Sequence, residues 1–486
     1  MGIVRNQSIK NSISFYIGMG IGAINTIFVY PNVFKDNPEY FGLIQILLAY
    51  AIIVSTFTTL GVPSIFVRFF PAIKERGKLI FLSLITPLLG FILASLCYFL
   101  FKEQLFGLLN ASELLRDNFF YVILLVFFIG FYDVLTSISR SFLSSATPIF
   151  INEVFLKVYS LIVLLLYWFD YFDFTSFLQI YIAGYIVKFC ILFLIQAYKD
   201  RLSINLSLKG LKLKEMLSFG TYVLLGGVSV MIATRLDMIM IGTMMDLEHV
   251  AFYTVAFFIG NAIRIPGKSI SAISVPLLAK AWEDQDLKQI QILYEKSSIN
   301  QLIFGGVLFL CIWINIDDVF SLLPLKFSFG KWVVLFIGLA QLFSMSAGLN
   351  GAIIVNSSYY KYDLVTNILL VFITLLTNYI FIPIYGINGA AMATALSVFI
   401  FNFMRLLLIK VKMKMQPFSL KTIYTVIILY VIYLLVAFLP LIGNVYIDIL
   451  WKSIFAITVF TALILVFKLS EDINKIVSET KKRLGF

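Results

Sequence analysis

Apolar runs of about 20 residues, the length a helix needs to cross roughly 30 Å of hydrocarbon, succeed one another along nearly the whole chain. They predict about fourteen membrane-spanning helices, near residues 11–33, 41–66, 79–101, 119–139, 150–169, 175–198, 216–242, 250–278, 298–316, 331–353, 364–383, 386–409, 422–440 and 450–468. The polar stretches between runs differ in charge by turns. Those after the second, sixth and twelfth runs are basic: Arg68, Lys74, Arg76 and Lys78; Lys199, Arg201, Lys209, Lys212 and Lys214; Lys410, Lys412, Lys414 and Lys421. The tail adds Lys475, Lys481, Lys482 and Arg483. Opposite loops are acidic or mixed, as at Asp36 and Glu39, Glu103 to Asp117, Asp170 and Asp173, Asp246 and Glu248, and Asp317 and Asp318. Basic loops stay cytoplasmic, so an even number of crossings predicts both termini in the cytoplasm. The first run follows Arg5 and Lys10 but continues to about Phe34 without an A-x-A-like cleavage site, and is expected to be a retained helix.

The pattern repeats. Asn37-Pro38-Glu39-Tyr40-Phe41-Gly42-Leu43 between spans one and two matches in character Asp246-Leu247-Glu248-His249-Val250-Ala251-Phe252 between spans seven and eight. Each joins a helix rich in small residues to a long one that ends near a proline, Pro63 or Pro276. Spans five and six, with a short turn from Asp170 to Phe174, are echoed by eleven and twelve, with a turn from Pro383 to Gly386. The offset is about 210 residues with six spans intervening, so the two copies share an orientation. The expected architecture is an all-α polytopic membrane protein: an N-lobe (1–205), a C-lobe (206–415) related to it by a parallel repeat, and two further helices with a tail (416–486). Such repeats build transporters whose two lobes rock about a central site. The stretch 279–297 mixes charged and apolar residues at helical spacing and predicts either a short interfacial helix or a solvated connector.

Composition narrows the class. At 486 residues, 61% hydrophobic and 13% charged, with mean hydropathy +0.98, this is no soluble globular chain. The net charge of +11 lies in short clusters between apolar runs, which excludes a nucleic-acid surface. Cys97, Cys190 and Cys311 all sit in apolar runs and imply no disulfide framework. Gly267-Lys268-Ser269 mimics the end of a phosphate-binding loop, but Ala262 stands where its first glycine belongs and no strand precedes it. No cofactor is expected beyond a coupling Na+ or H+.

The chain resembles the polysaccharide transporter branch of the multidrug/oligosaccharidyl-lipid/polysaccharide exporter superfamily, which includes the O-antigen flippases. The resemblance covers essentially the whole chain. It rests on the six-plus-six-plus-two pattern, on Pro38-Glu39-Tyr40-Phe41-Gly42 after span one, and on Arg235-Leu236-Asp237-Met238-Ile239-Met240-Ile241-Gly242 closing span seven. It implies a flippase of the bacterial cytoplasmic membrane that moves polyprenyl-pyrophosphate-linked oligosaccharide units from the inner to the outer leaflet for O-antigen, lipopolysaccharide or capsule synthesis. It also implies cationic residues in a central cavity facing the pyrophosphate and sugars. Membrane lipids and other membrane proteins of polysaccharide assembly are the expected partners.

Ionisable groups within the spans are functional candidates by default. Arg264 lies in span eight, on a face with Gly260, Asn261, Gly267, Lys268 and Ser271. A guanidinium binds phosphate through a planar fork and stays charged when partly desolvated. It is expected either to contact substrate or to pair with Asp237. Lys268 can extend that face or snorkel, and Asn261 can meet sugar hydroxyls or pack between helices. Arg235 and Asp237 read as a gate or an inter-helix pair. Asp133 reads as a coupling-ion or proton site, or as the partner of Arg140 or Lys157. Lys188 and Arg405 are cavity candidates that can equally snorkel, and Arg68 suits substrate capture or anchoring at the mouth of span two. Gly18, Gly20, Gly22 and Asn25 in span one suit close packing or a bend. A multidrug or cation antiporter of the same superfamily is the alternative, but its cavity should carry unpaired carboxylates. A membrane polymerase or acyltransferase is less favoured, because His249 is the only histidine and no catalytic constellation accompanies it. The chain is therefore expected not to be an enzyme.

Overall fold

The structure is a computed structural model that describes residues 2–483, and every regular element in that range is a helix. Among the described residues, twelve helices are long and apolar enough to cross a membrane. In chain order they begin with α1 (Ile9–Val33), α2 (Pro38–Thr58), α3 (Arg76–Leu108), α4 (Phe120–Ser141), α5 (Ala146–Trp168) and α6 (Phe174–Tyr198). They continue with α7 (Leu213–Met244), α8 (Leu247–Glu283), α9 (Leu287–Ile314) and α10 (Leu325–Ser346). The longest, Lys361–Met413, is two helices, α11 (361–385) and α12 (387–413), because the backbone leaves helical geometry at Gly386 (φ 58°, ψ −137°). Thr377 Oγ1 and Ser397 Oγ meet at 3.1 Å across that turn, as they do in a hairpin. The last two are α13 (Leu420–Val436), shorter at 17 residues, and α14 (Val445–Val466). With the hairpin divided and α13 included, the crossings are the fourteen expected.

Two expectations need correction. The stretch 279–297 is neither an interfacial helix nor a solvated connector. Instead α8 runs on to Glu283 and α9 begins at Leu287, where the Asp286 side chain caps it by accepting from Gln289 N at 2.9 Å. The second span is not one helix to Pro63: α2 stops at Thr58, Leu60 and Gly61 take positive φ (48° and 73°), and a short helix restarts at Val62–Phe69 with Pro63 in its first turn.

The chain separates into two compact units, residues 1–254 and 255–486. In the first, α4 packs on α2, α3 and α6, while α5 lies between α1 and α6. Lipid is as apolar as leucine, so helices associate there by close approach and polar contact more than by solvent exclusion. Gly18 shows the approach: a Cβ at this position would stand 2.2 Å from the Glu153 carbonyl oxygen, so α1 and α5 touch backbone to backbone. Both helices carry a π turn there, Ile24–Val29 and Ile151–Phe155. Asn25 bridges them, donating to Lys157 O (3.0 Å) and Ser160 Oγ (3.2 Å).

In the second unit α9 is the axis, contacted by α8, α10, α13 and α14. The added pair α13–α14 is held by an apolar cluster that includes Ile303, Leu310, Ile432 and Phe460. Polar contacts fasten it as well. Lys452 on α14 binds Asp318 at 2.7 Å, Ser453 accepts from Asn315 at 2.9 Å, and Lys296 and Asn300 of α9 reach Asp472 at 3.3 and 2.8 Å.

Candidate substrate site

Backbone irregularity marks the site before any side chain does. Unsatisfied peptide groups are costly at membrane depth, so non-helical backbone survives there only where protein buries it or where it lines a cavity. In the second unit two such breaks converge on one cavity. Helix α8 tightens into a 3-10 turn over Ala262–Arg264, with ψ relaxed to −17° at Asn261 and −12° at Arg264, and resumes with Pro266 in its new first turn. Proline has no N–H to bond one turn back, which accounts for the break. Helix α10 stops at Ser346, turns through Gly348 (φ 61°) and resumes at Asn350–Asn356.

The two breaks and α12 enclose about 420 Å3, lined by Arg264, Lys268, Ser271, Gln301, Asn350, Asn402 and Arg405 among others. Arg405 is buried and paired. It forms an ion pair with Asp363 of α11, donates to Asn367 Oδ1 at 3.0 Å and Thr366 Oγ1 at 3.3 Å, and has its guanidinium 4.1 Å from the Phe401 ring centroid. Gly351 lies against it: a Cβ there would come within 2.7 Å of Arg405 Nη1. Arg264 and Lys268 are different. They lie one turn apart on α8 and both are accessible. Within their unit neither makes a hydrogen bond or ion pair among the described residues. The cavity thus has two free cations beside one that is already neutralised.

The first unit also carries charge within its spans, in another arrangement. Lys188 of α6 is only 4% exposed; it donates to Asn152 Oδ1 at 3.1 Å and lies 4.5 and 4.8 Å from the ring centroids of Tyr132 and Tyr185. Asn152 donates in turn to Glu153 Oε1 at 3.0 Å, and Glu153 holds Lys157 at 2.9 Å. Asp133 is accessible and has no hydrogen bond or ion pair among the described residues. Asp237 is buried and accepts a hydrogen bond from Tyr253 at 2.6 Å. Arg235 Nη1 donates to Met238 Sδ at 4.0 Å.

A family model described as polysaccharide biosynthesis protein matches residues 7–282, more than half of the chain. The chain belongs to that family. Solved structures that share its fold include three transport proteins. A lipid II flippase MurJ in an inward closed conformation is 16% identical, with TM-score 0.78 over 94% of this chain and 98% of that one. An inward-facing multidrug resistance MATE family transporter of the MOP superfamily is 16% identical, with TM-score 0.64 over 84% and 98%. An outward-facing MATE transporter is 14% identical, with TM-score 0.57 over 85% and 96%. At such identities the likeness establishes the fold and leaves function to the site. No curated protein sequence matches the chain.

Within this family member, the residues singled out from sequence divide plainly. Arg264, Lys268 and Arg405 line one cavity; Asn261 ends the helix just before the 3-10 turn and is not part of the lining. Arg405 does not snorkel, because Asp363 holds it. Lys188 neither snorkels nor faces open space. Arg68 stacks 4.1 Å from the Phe219 ring centroid. Asp133 forms no ion pair with Arg140 or Lys157; the latter is taken by Glu153. Sequence reasoning missed Gln301, Asn350 and Asn402. One usable signal was present: Asn402 precedes Arg405 by three residues and so shares its face.

Proposed function

We propose that the protein is a flippase that carries polyprenyl-diphosphate-linked oligosaccharide units from the inner to the outer leaflet of the cytoplasmic membrane, with both termini cytoplasmic. The observation that carries the reading is the pair of accessible, unpartnered cations at a broken helix, Arg264 and Lys268. A cation within a membrane span that has no partner is expensive, and a diphosphate supplies the missing charge through bidentate, charge-assisted hydrogen bonds. Membership of the polysaccharide biosynthesis family and a fold shared with a lipid II flippase support the same substrate class. O-antigen or capsule units are the proposed cargo. Movement is by alternating access driven by a sodium or proton gradient, and no covalent chemistry is assigned to the chain.

Deleting the protein is expected to leave lipid-linked units on the cytoplasmic leaflet, and Arg264→Ala is expected to behave like the deletion while remaining in the membrane. Normal surface polysaccharide in a stably expressed Arg264→Ala strain removes Arg264 from the mechanism. One observation favours the alternative of cation antiport: Asp133 is an accessible carboxylate that makes no hydrogen bond or close ion pair among the described residues, although Lys188 and Arg140 act on it electrostatically. Efflux of a cationic dye that depends on Asp133 and is indifferent to Arg264 would select that reading.

A further inference from the structure

Beside its two free cations the cavity has a wall that is polar and electrically neutral. Asn350, Asn402 and Gln301 are all buried, at 6%, 3% and 4% exposure, and all line the cavity. Asn350 donates to Asn402 Oδ1 at 2.9 Å, and Asn402 donates to the Val398 carbonyl at 2.9 Å. Gln301 donates to Ser271 Oγ at 3.4 Å. A primary amide has two donors and a two-lone-pair acceptor, so these contacts leave much of the wall's capacity unused. Asn350 Oδ1, Gln301 Oε1 and one N–H of Asn402 remain without partners among the described residues. Arg405 closes the same wall, but Asp363 neutralises its charge, and Asn367 and Thr366 take donors of Nη2 and Nε, leaving the two N–H groups of Nη1 without a partner among the described residues. This wall therefore holds no unpaired cation, and what it offers is amide donors and acceptors together with the Nη1 donors of a neutralised Arg405.

We propose that Asn350, Asn402 and Gln301 form the subsite for the sugar next to the diphosphate, and that the subsite selects a neutral sugar over an acidic one. The inference rests on the flippase reading, in which Arg264 and Lys268 take the diphosphate. A neutral pyranose offers hydroxyls that both donate and accept, which is what unsatisfied amides need. A uronic acid brings a second anionic group, and once the diphosphate has taken the two free cations the wall has only Arg405, whose charge Asp363 already balances, to face its carboxylate. Selectivity of this kind is strong because a site built to hydrogen-bond a substrate loses when buried polar groups are left unpaired.

The test uses the full-length protein in nanodiscs and three probes: undecaprenyl diphosphate, the same lipid bearing one N-acetylglucosamine, and the same lipid bearing one galacturonic acid. The wild type is expected to bind the N-acetylglucosamine lipid about tenfold tighter than the bare diphosphate, and the galacturonic acid lipid no tighter than the bare one. Asn402→Leu and, separately, Gln301→Met are expected to bring the ratio of neutral-sugar to bare-lipid affinity down towards one. Gln301→Met keeps the side-chain length and leaves the Asn402 contact to the α12 backbone intact, so it answers the question if Asn402→Leu fails to fold. A ratio unchanged in both variants, or equal gains from neutral and acidic sugars, overturns the subsite. The flippase reading fails on a separate result, a wild type that binds undecaprenyl diphosphate no better than undecaprenol.

Discussion

Each unit carries charge within its membrane spans; the first buries Lys188 in a partnered chain and leaves the carboxylate of Asp133 accessible, while the second leaves two cations accessible at a helix break. In residues 1–254, Lys188, Asn152, Glu153 and Lys157 form a hydrogen-bonded chain in which the ammonium of Lys188 is buried and partnered. In residues 255–486, Arg264 and Lys268 stand accessible at a break in α8, with no ion pair inside their unit among the described residues. Arg405 sits in the same cavity yet follows the first pattern, held by Asp363. Depth in the membrane therefore does not separate structural charges from functional ones. Partnership does, together with the condition of the backbone beneath the charge.

The sharpest way to break the comparison is to remove a partner. Asp363→Ala strands the Arg405 guanidinium in a buried site and is expected to cost about 3–5 kcal/mol, read as a large fall in the unfolding midpoint of the purified protein. A change below about 1 kcal/mol would place Arg405 with the free cations instead. Lys188→Met should come next, at about 1–3 kcal/mol, because it leaves Asn152 Oδ1 with no donor in a buried setting. Its transport should follow the amount of folded protein. Gly351→Ala is expected to cost about 1–3 kcal/mol by pressing a methyl group against Arg405; pairing it with Arg405→Lys, which replaces the planar guanidinium with a compact ammonium and removes Nη1, should recover part of that loss. Smallest on this scale is Arg264→Ala, expected within about 0.5 kcal/mol of wild type. An Arg264→Ala protein destabilised as much as Asp363→Ala would make Arg264 structural.

The same distinction explains what could be read without coordinates. The spans were legible because bilayer thickness fixes their length, and the hairpin at Gly386 because a Pro-to-Gly turn interrupts two apolar runs. Arg264 was legible as a costly charge. The breaks were not. At Leu60–Gly61 and at Ala262–Arg264 the hydropathy still reads as one span despite Arg264, and only tertiary packing decides whether a nearby proline kinks a helix, starts one or sits harmlessly within it. Pro266, just after the break in α8, now stands in the position that Pro63 takes after the break in α2. Pro276, which the repeat pattern had paired with Pro63, lies inside a regular helix. The state of Arg405 was hidden because Asp363 is 42 residues away and meets it only when the hairpin closes. Asn350, Asn402 and Gln301 went unseen because a neutral amide in an apolar helix looks the same whether it packs against another helix or faces a ligand.

The central claim is that Arg264 is free in order to take an anionic ligand, and it is tested most directly by the affinity for undecaprenyl diphosphate in nanodiscs. Arg264→Ala should bind this lipid at least about tenfold more weakly than the wild type, the loss of one or more charge-assisted hydrogen bonds, while its unfolding midpoint stays unchanged. Equal affinity in the two proteins would contradict the account.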